Sequence, residues 1–328
     1  MRIIFMGTPE FAIPSLNKLT QEWNVLCVVT QPDRPKGRGM KLVPPPVKFL
    51  AEQLDLPLRQ PKKVRKLSGY FWSLSPDLIV VVAYGEILTR DILCIPKIGC
   101  INLHASLLPE LRGPEPIPWS IISGKEKTGL TTMWMDAGVD TGDIILQKEI
   151  EILPEDTKGS LGQKMSLAGA ELLSETLRTV ESGKAPGQKQ VREPSFAPMI
   201  KNSGCLIDWS KPAIEIHNLV RGLNPSPSAY TFLEGKRLKI HKSKISSPLC
   251  AASASQCGGG GAGGEGGKVV EIRDDQILVS TGKGVLSLLE LQPEGKRVMS
   301  VKDYLSGHAV TRRMKFTNLL EGEQERIG

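Results

Sequence analysis

The sequence predicts an α/β chain with two domains: a doubly wound, mostly parallel, Rossmann-like sheet followed by a smaller, OB-like β-barrel. In the first half, apolar runs of strand length alternate with helical patterns, as in a parallel sheet covered by helices. Beyond about residue 206 the pattern changes to short strands separated by turn residues, which is typical of a small barrel. A chain of 328 residues is long enough for both domains.

The N-terminal domain has four strand candidates in a β-α-β-α order, and two more strands follow them. The third candidate, 78–83, is apolar throughout, as expected of a parallel strand that is buried on both faces. The predicted strands are 2–6, 25–30, 78–83, 100–104, 130–135 and 144–150, and the predicted helices are 11–20, 47–53, 64–73 and 160–182.

The C-terminal part is predicted to be one helix and five strands. We place the domain boundaries at 1–183 and 207–328, with residues 184–206 as a linker because they begin with a proline-containing stretch that lacks apolar periodicity. A glycine-rich segment, 246–267, should form a flexible surface loop. The helix is predicted at 211–223 and the strands at 229–233, 237–245, 268–273, 276–281 and 284–292.

Composition sets the broad class of the protein. Hydrophobic residues are 40% and charged residues 23% of the chain, which is globular composition, and no apolar run is long enough to cross a membrane. The net charge of +7 weakly favours a polyanionic partner. The six cysteines form no C-x-x-C pair, which indicates free thiols and no zinc site. We therefore expect a cytoplasmic protein without a metal and without a membrane partner.

Several common nucleotide-binding and hydrolase motifs are missing. The first strand-to-helix turn, 7–11, lacks the second and third glycines of G-x-G-x-x-G, and Pro9 and Glu10 stand where a pyrophosphate would approach. The sequence also contains no G-x-x-x-x-G-K-[ST], no H-E-x-x-H and no G-x-S-x-G. The chemistry must therefore come from other residues.

Two polar residues end a predicted buried strand. Asn102 and His104 lie two positions apart, so the alternation of a strand places them on the same face. They stand at the carboxyl end of a predicted parallel strand, where open α/β sheets bind ligands. The alternative interpretation is a capping asparagine and a structural, hydrogen-bonded core histidine.

A second cluster of polar residues lies between two later strands. Residues 136–143 contain three aspartates, Asp136, Asp140 and Asp143, together with two glycines. The spacing does not match an EF-hand, so a tight turn is the simple interpretation. One of these carboxylates could instead reach His104 and fix its tautomer and charge.

Basic residues are concentrated in three short segments. Each cluster alone is typical of a solvated face, but three clusters together with a barrel favour a divided surface for a nucleic-acid backbone. The clusters lie at 33–48, 59–66 and 236–244.

Taken together, these motifs resemble the 10-formyltetrahydrofolate-dependent formyltransferase family. The resemblance is carried first by N-L-H-x-S-L-L-P at 102–109, R-G at 112–113 and D-x-G-x-D-T-G-D-I at 136–144. Further segments are similar to the branch of the family that acts on methionyl initiator tRNA, over nearly the whole chain. These are I-F-M-G-T-P-E-F at 4–11, T-Q-P-D-R-P-K-G-R-G at 30–39, I-D-W-S-K-P at 207–212 and N-P-S-P-S-A-Y at 224–230.

The resemblance implies a reaction, a co-substrate, a partner and a set of site residues. It implies transfer of a formyl group from 10-formyltetrahydrofolate to methionyl initiator tRNA by a monomer, with the tRNA bound partly by the OB-like domain. It implies a catalytic trio of Asn102, His104 and Asp140. It implies folate contacts from Tyr84, Gly85, Ile87, Leu88, Ser106, Leu107, Leu108, Pro109 and Val139, and RNA contacts from Arg34, Lys36, Arg38 and Lys41 in a mobile loop, 33–46.

The sequence departs from the family pattern at the edge of this site. Glu110 and Leu111 replace a basic and an aromatic residue after S-L-L-P, residues 114–116 read Pro-Glu-Pro, and Ser226 replaces a tryptophan. The alternatives to consider are a formyltransferase for a small amine, a formyl-folate hydrolase, and a non-catalytic RNA-binding protein on the same scaffold.

Overall fold

The computed structural model describes residues 1–36, 41–185, 187–246 and 266–318, and the chain forms two compact units. The first unit consists of Met1–Ile117, Lys127–Ile152 and Ser160–Met199, and the second of Pro118–Glu126, Leu153–Gly159 and Ile200–Gly328. Most of the predicted glycine-rich loop, 247–265, lies outside the described residues.

A seven-stranded sheet forms the centre of the first unit. The strands of this unit are β1 (Arg2–Gly7), β2 (Asn24–Val29), β3 (Arg34–Lys36), β4 (Lys41–Val43), β5 (Leu58–Arg59), β6 (Leu78–Val82), β7 (Gly99–His104), β8 (Lys127–Trp134) and β9 (Ile144–Glu151). Seven of them form the central sheet, and β3 and β4 form a separate two-stranded ribbon. The order in the sheet is β5-β2-β1-β6-β7-β8-β9; its first five strands are parallel, and β8 pairs antiparallel with both β7 and β9. The predicted mostly parallel sheet is confirmed.

Helices lie between or after these strands along the chain. They are α1 (Ile13–Glu22), α2 (Pro46–Gln53), α3 (Ser68–Leu74), α4 (Arg90–Leu93), α5 (Pro116–Ile122) and α6 (Lys158–Glu181), with 3-10 turns at Glu10–Ala12 and Val64–Leu67. β6 is buried along its whole length, because both of its faces are covered. On one face of the sheet, Ile4, Met6 and Val81 pack with Phe71 of α3 in a shared core.

The segment that was predicted as a mobile loop contains a small β-ribbon. β3 and β4 pair as antiparallel strands, with Arg34 opposite Val43 and Lys36 opposite Lys41. Residues 37–40, between the two strands, lie outside the described residues. Three-residue strands carry too little periodicity to be predicted from the sequence.

The second unit contains the predicted antiparallel barrel-like sheet. Its elements are α7 (Ala213–Leu223), β10 (Ala229–Leu233), β11 (Lys236–Ile245), β12 (Val269–Arg273), β13 (Gln276–Ser280), β14 (Val285–Pro293), β15 (Met299–Ser300), α8 (Val301–Gly307) and β16 (Phe316–Thr317), with a 3-10 turn at Asn202–Cys205. The order is β12-β13-β14-β11-β10-β16, and β15 pairs with β14. A bridge between Lys268 and Lys315 links the segments that precede β12 and β16, at the two ends of this order. The sheet therefore curls back on itself.

The core of the second unit lies between this sheet and α7. Trp209 is buried in it, and its indole N–H donates to the hydroxyl oxygen of Thr231 at 2.9 Å. Ile216 and Val220 of α7 pack against the apolar residues of the strands, which include Ile240. None of the helices in the described ranges is long and apolar enough to cross a membrane.

Candidate active site

The end of β7 is the centre of the candidate site. Parallel pairing with β6 places Asn102 beside Val81 and Leu103 beside Val82, so the two strands end at the same edge of the sheet. Asn102 is half-buried, and His104, the last residue of β7, is 6% exposed. The two side chains share one face of the strand, as the alternation predicts.

His104 has an oxygen atom near each of its ring nitrogens. Nε2 lies 3.0 Å from the backbone carbonyl oxygen of Leu111, and because a carbonyl only accepts, Nε2 carries the hydrogen of this bond. Nδ1 lies 3.6 Å from Oδ1 of Asp140, beyond hydrogen-bond distance but within ion-pair distance. The ring is thus held on one side by the backbone and faces a carboxylate on the other.

The loop between β8 and β9 brings Asp140 to this ring. The loop starts beside the beginning of β7, where the Met135 N–H donates to the Cys100 carbonyl at 2.8 Å, and it reaches His104 at the other end of that strand. Asp140 has a left-handed backbone, φ 54°, and its Oδ2 accepts the N–H of Gly113 at 2.8 Å. One carboxylate oxygen is therefore anchored while the other faces the imidazole.

The other two aspartates of this loop have different partners. Oδ1 of Asp136 accepts hydrogen bonds within its own turn, from the N–H of Gly138 at 2.9 Å and the hydroxyl of Thr141 at 2.7 Å. Asp143 lies 3.6 Å from the ammonium of Lys189. Of the three carboxylates, it is that of Asp140 that the structure brings to His104.

Three segments carry the residues that the resemblance implies as folate contacts. Two of them follow β6 and β7, and the third is the loop that holds Asp140. Tyr84, Leu88, Ser106, Leu108 and Pro109 are buried, Leu107 is half-buried, and Gly85, Ile87 and Val139 are exposed.

Tyr84 stands out among these residues. The residue is 1% exposed, and its hydroxyl is buried with no hydrogen-bond partner among the described residues. Burial raises the pKa of this phenol, so it is protonated near neutral pH and can donate. Its backbone carbonyl accepts the Thr8 hydroxyl at 2.8 Å, which ties the end of β6 to the turn that follows β1.

The structure describes part of the predicted RNA-binding set. Arg34 is exposed, and its guanidinium donates to Oε1 of Gln31 at 3.3 Å. For Lys36 and Lys41 only the backbone, in the β3–β4 ribbon, is described, and Arg38 lies outside the described residues.

Residues 188–197, which the sequence did not predict as part of the site, also reach it. Gln190 contacts the Asp140 loop and Arg112, and the Ser195 hydroxyl oxygen accepts the Leu111 N–H at 2.9 Å. Because Leu111 has a left-handed backbone, φ 56°, its carbonyl points at His104 while its N–H points at this segment. The sequence offers no local pattern that signals these contacts, since residues 184–198 have no apolar periodicity.

The site defines a class of protein once the chain is compared with known families. A family model described as "Formyl transferase" matches residues 1–177, and one described as "Formyl transferase, C-terminal domain" matches residues 199–309. The chain therefore belongs to the formyl transferase family.

One curated relative and two solved structures are described here as similar to this chain. The chain is 47% identical to the methionyl-tRNA formyltransferase of Geobacter metallireducens over 94% of its own length and 96% of that protein. It resembles HypX from Aquifex aeolicus, solved with tetrahydrofolic acid, with a TM-score of 0.63 and 16% identity over 94% of this chain and 47% of HypX. It also resembles an N-formyltransferase from Helicobacter canadensis, solved with folinic acid and dTDP-3-aminofucose, with a TM-score of 0.65 and 18% identity over 89% and 98% of the two chains.

Proposed function

We propose that this protein transfers the formyl group of 10-formyltetrahydrofolate to the α-amino group of methionyl initiator tRNA. The proposal rests mainly on one observation. In this member of the formyl transferase family, the His104 imidazole and the Asp140 carboxylate face each other at the end of β7. The name of the relative, methionyl-tRNA formyltransferase, supports methionyl-tRNA as the amine substrate. The similarity covers 94% of this chain and therefore both of its domains. The folate ligand of the HypX structure supports the formyl donor.

The reaction requires a neutral amine and a polarised formyl group rather than an enzyme nucleophile. An α-amino group has a pKa of roughly 7.7–8.0, so a useful fraction of it is neutral near physiological pH. Its nitrogen attacks the formyl carbon and gives a tetrahedral oxyanion. Breaking the bond between that carbon and N10 of the folate then yields the formylated amine and tetrahydrofolate. One proton moves in total, from the amine nitrogen to N10.

We assign the stabilisation of the oxyanion to Asn102. Its side-chain amide stands on the same face of β7 as His104 and can donate an N–H to the oxygen as negative charge develops. Loss of one such donor typically lowers kcat by about 10²–10³-fold.

We assign the movement of the proton to His104, held by Asp140. Nε2 keeps its hydrogen for the Leu111 carbonyl, so the proton that reaches N10 is carried at Nδ1, the nitrogen that faces Asp140. A carboxylate at this position stabilises the imidazolium and fixes its orientation while Nδ1 gives up its proton. Because Oδ2 of Asp140 is anchored by Gly113, the carboxylate cannot swing away from the ring without losing that hydrogen bond.

The contacts with the folate and with the tRNA are part of the same proposal. We propose that the pterin lies between the loop after β6, which contains the buried Tyr84, and the segment 106–109. We propose that Arg34, Lys36 and Lys41 of the β3–β4 ribbon contact the acceptor end of the tRNA. We propose the same contact for Arg38, which lies outside the described residues. A monomeric state and a cytoplasmic location also remain predictions.

The proposal is tested by following labelled formyl groups from 10-formyltetrahydrofolate. Three acceptors are compared: methionyl initiator tRNA, free amino sugar nucleotide, and water alone. We expect label on the tRNA, with transfer to the sugar and release of formate at least 10²-fold slower. A higher rate with the sugar nucleotide would indicate the small-amine alternative, and rapid release of formate without RNA would indicate the hydrolase. Absence of any transfer would contradict the proposal.

A further inference from the structure

Gln190 links the two loops that position the candidate catalytic residues. Its Nε2 donates to the backbone carbonyl of Asp140 at 3.0 Å and to that of Gly142 at 2.8 Å. Its Oε1 accepts from Nε of Arg112 at 3.1 Å and from a terminal guanidinium nitrogen of Arg112 at 2.6 Å. All four hydrogen-bonding positions of the carboxamide are therefore used.

The chemistry of these partners requires a glutamine at position 190. Two carbonyl oxygens need two donors, and a guanidinium needs an acceptor, so one end of the group must be NH₂ and the other oxygen. A glutamate could pair with Arg112 but would place a carboxylate oxygen against the two carbonyls. An asparagine has the right groups on a side chain that is one methylene shorter.

The residues that Gln190 holds are next to those that contact His104. Arg112 stands between Leu111, whose carbonyl accepts from His104, and Gly113, whose N–H donates to Asp140. On the opposite loop, Gln190 holds the backbone of Asp140 itself. The carboxamide thus fixes the distance between the loop that supports the ring and the loop that carries the carboxylate.

The segment that contains Gln190 is itself fixed on both sides. Gln188 exchanges backbone hydrogen bonds with Ile144 at 2.8 and 2.9 Å, directly after the Asp140 loop. Farther along, the N–H of Ala197 donates to the Arg112 carbonyl at 2.7 Å. Gln190 therefore has a defined position between the two loops.

We infer that Gln190 is a positioning residue for formyl transfer, acting through Asp140. This inference rests on the proposed function. It assigns to Gln190 no contact with substrate; its role is to hold Asp140 at the distance from His104 that proton transfer requires. Misplacing a group at the reacting centre by about 1 Å can lower activity by about 10²-fold.

The first test compares Gln190→Ala with Gln188→Ala, a matched control whose exposed side chain lies in the same segment. We expect kcat for Gln190→Ala to fall by about 10–100-fold, with KM for both substrates within about twofold and Gln188→Ala unchanged. Gln190→Glu, which keeps only the acceptor for Arg112, should show the same loss of kcat and replaces Gln190→Ala if that variant does not fold. An unchanged kcat in a folded Gln190 variant would overturn the inference.

The second test measures coupling to Asp140. In an Asp140→Asn background, Gln190→Ala should lower the single-turnover rate by less than about twofold, because the residue through which it acts is already impaired. Equal losses in both backgrounds would show a general structural effect and would overturn the inference. Wild-type protein that fails to formylate methionyl-tRNA would instead contradict the proposed function, so the two failures can be distinguished.

Discussion

The backbone N–H of Gly113 donates to Oδ2 of Asp140 at 2.8 Å, and this contact fixes which carboxylate oxygen faces His104. The contact joins the loop that follows β7 to the loop between β8 and β9. Gly113 has φ 120°, and a Cβ there would lie 2.8 Å from the Ala197 carbonyl oxygen. A glycine is therefore required where the two loops meet.

Replacing Asp140 by asparagine should impair the chemical step. The change keeps the shape of the side chain but removes the negative charge that faces Nδ1 of His104. We expect kcat to fall by roughly 10²–10⁴-fold, with KM for the folate within about twofold. Steady-state kinetics at saturating tRNA measures both values.

Asp136→Asn is the matched control for this change. Asp136 belongs to the same loop, but its carboxylate accepts hydrogen bonds only from residues of its own turn in the contacts described above. It should keep most of the activity. Equal losses in the two variants would mean that the loop, and not the Asp140 carboxylate, is what matters.

Charge removal at Arg38 and Lys41 should weaken RNA binding. If Arg38 and Lys41 contact phosphates, the double variant Arg38→Ala, Lys41→Ala should raise KM for methionyl-tRNA and flatten its dependence on salt. The slope of log KM against log salt should fall by about 0.7–0.9 for each contact that is lost. KM for the folate should not change. An unchanged KM for the tRNA would remove these two residues from the interface.

Gly142 should not tolerate a side chain. A Cβ at this position would collide with the backbone carbonyl of Trp134, which cannot move as a flexible side chain would. We expect Gly142→Ala to lower the free energy of unfolding by about 1–3 kcal/mol and to reduce activity, because Asp140 lies in the same loop. Urea unfolding measures the first effect.

Gly69→Ala provides the comparison for this measurement. Gly69 lies in α3, and a Cβ there would meet no heavy atom within 4 Å. This variant should gain about 0.4–1 kcal/mol, because alanine restricts the unfolded chain. A Gly142→Ala protein as stable as Gly69→Ala would contradict the packing described here.

Buried thiols should make the protein less stable in alkali. Burial raises the pKa of Cys27 to about 11 and that of Cys100 to about 12, against an ordinary value of 9.0. Above pH 9 the unfolded chain releases these protons while the folded chain keeps them, so stability falls as pH rises. We expect a loss of roughly 2–4 kcal/mol between about pH 9 and 11.

The contribution of the thiols is isolated by a variant that lacks them. Tyrosines and lysines also titrate in this range, so the informative quantity is the difference between wild type and Cys27→Ala, Cys100→Ala. The variant is less stable at pH 7 because it leaves cavities, but it should lose less stability between pH 9 and 11. Parallel curves for the two proteins would contradict the assignment.

Strong periodicity explains what could be predicted from the sequence. The apolar run that became β6 signals a parallel strand covered on both faces, and the alternation in β7 places Asn102 and His104 on one face. Both patterns arise within one element. The choice of Asp140 among three aspartates came from the family motif, since the spacing alone left all three open.

The supporting contacts could not be predicted, because they arise between elements. Leu111 contacts His104 through its backbone carbonyl, which is oriented by the positive φ of that residue. Every residue has a backbone carbonyl, so such a contact cannot be recognised from residue types. Gln190 lies in a stretch without periodicity, and its partners are about 50 and 80 residues earlier in the chain. Only the closed fold brings these groups together.

The role of His104 is tested most directly by the kinetics of the His104→Asn variant in formyl transfer to methionyl initiator tRNA. Asparagine keeps a polar group at the end of β7 but cannot carry a proton from one nitrogen to another. We expect kcat to fall by at least about 10²-fold while the affinity for the folate, measured by equilibrium binding, stays nearly unchanged. Near-normal turnover by this variant would remove His104 from the chemistry and contradict the central claim.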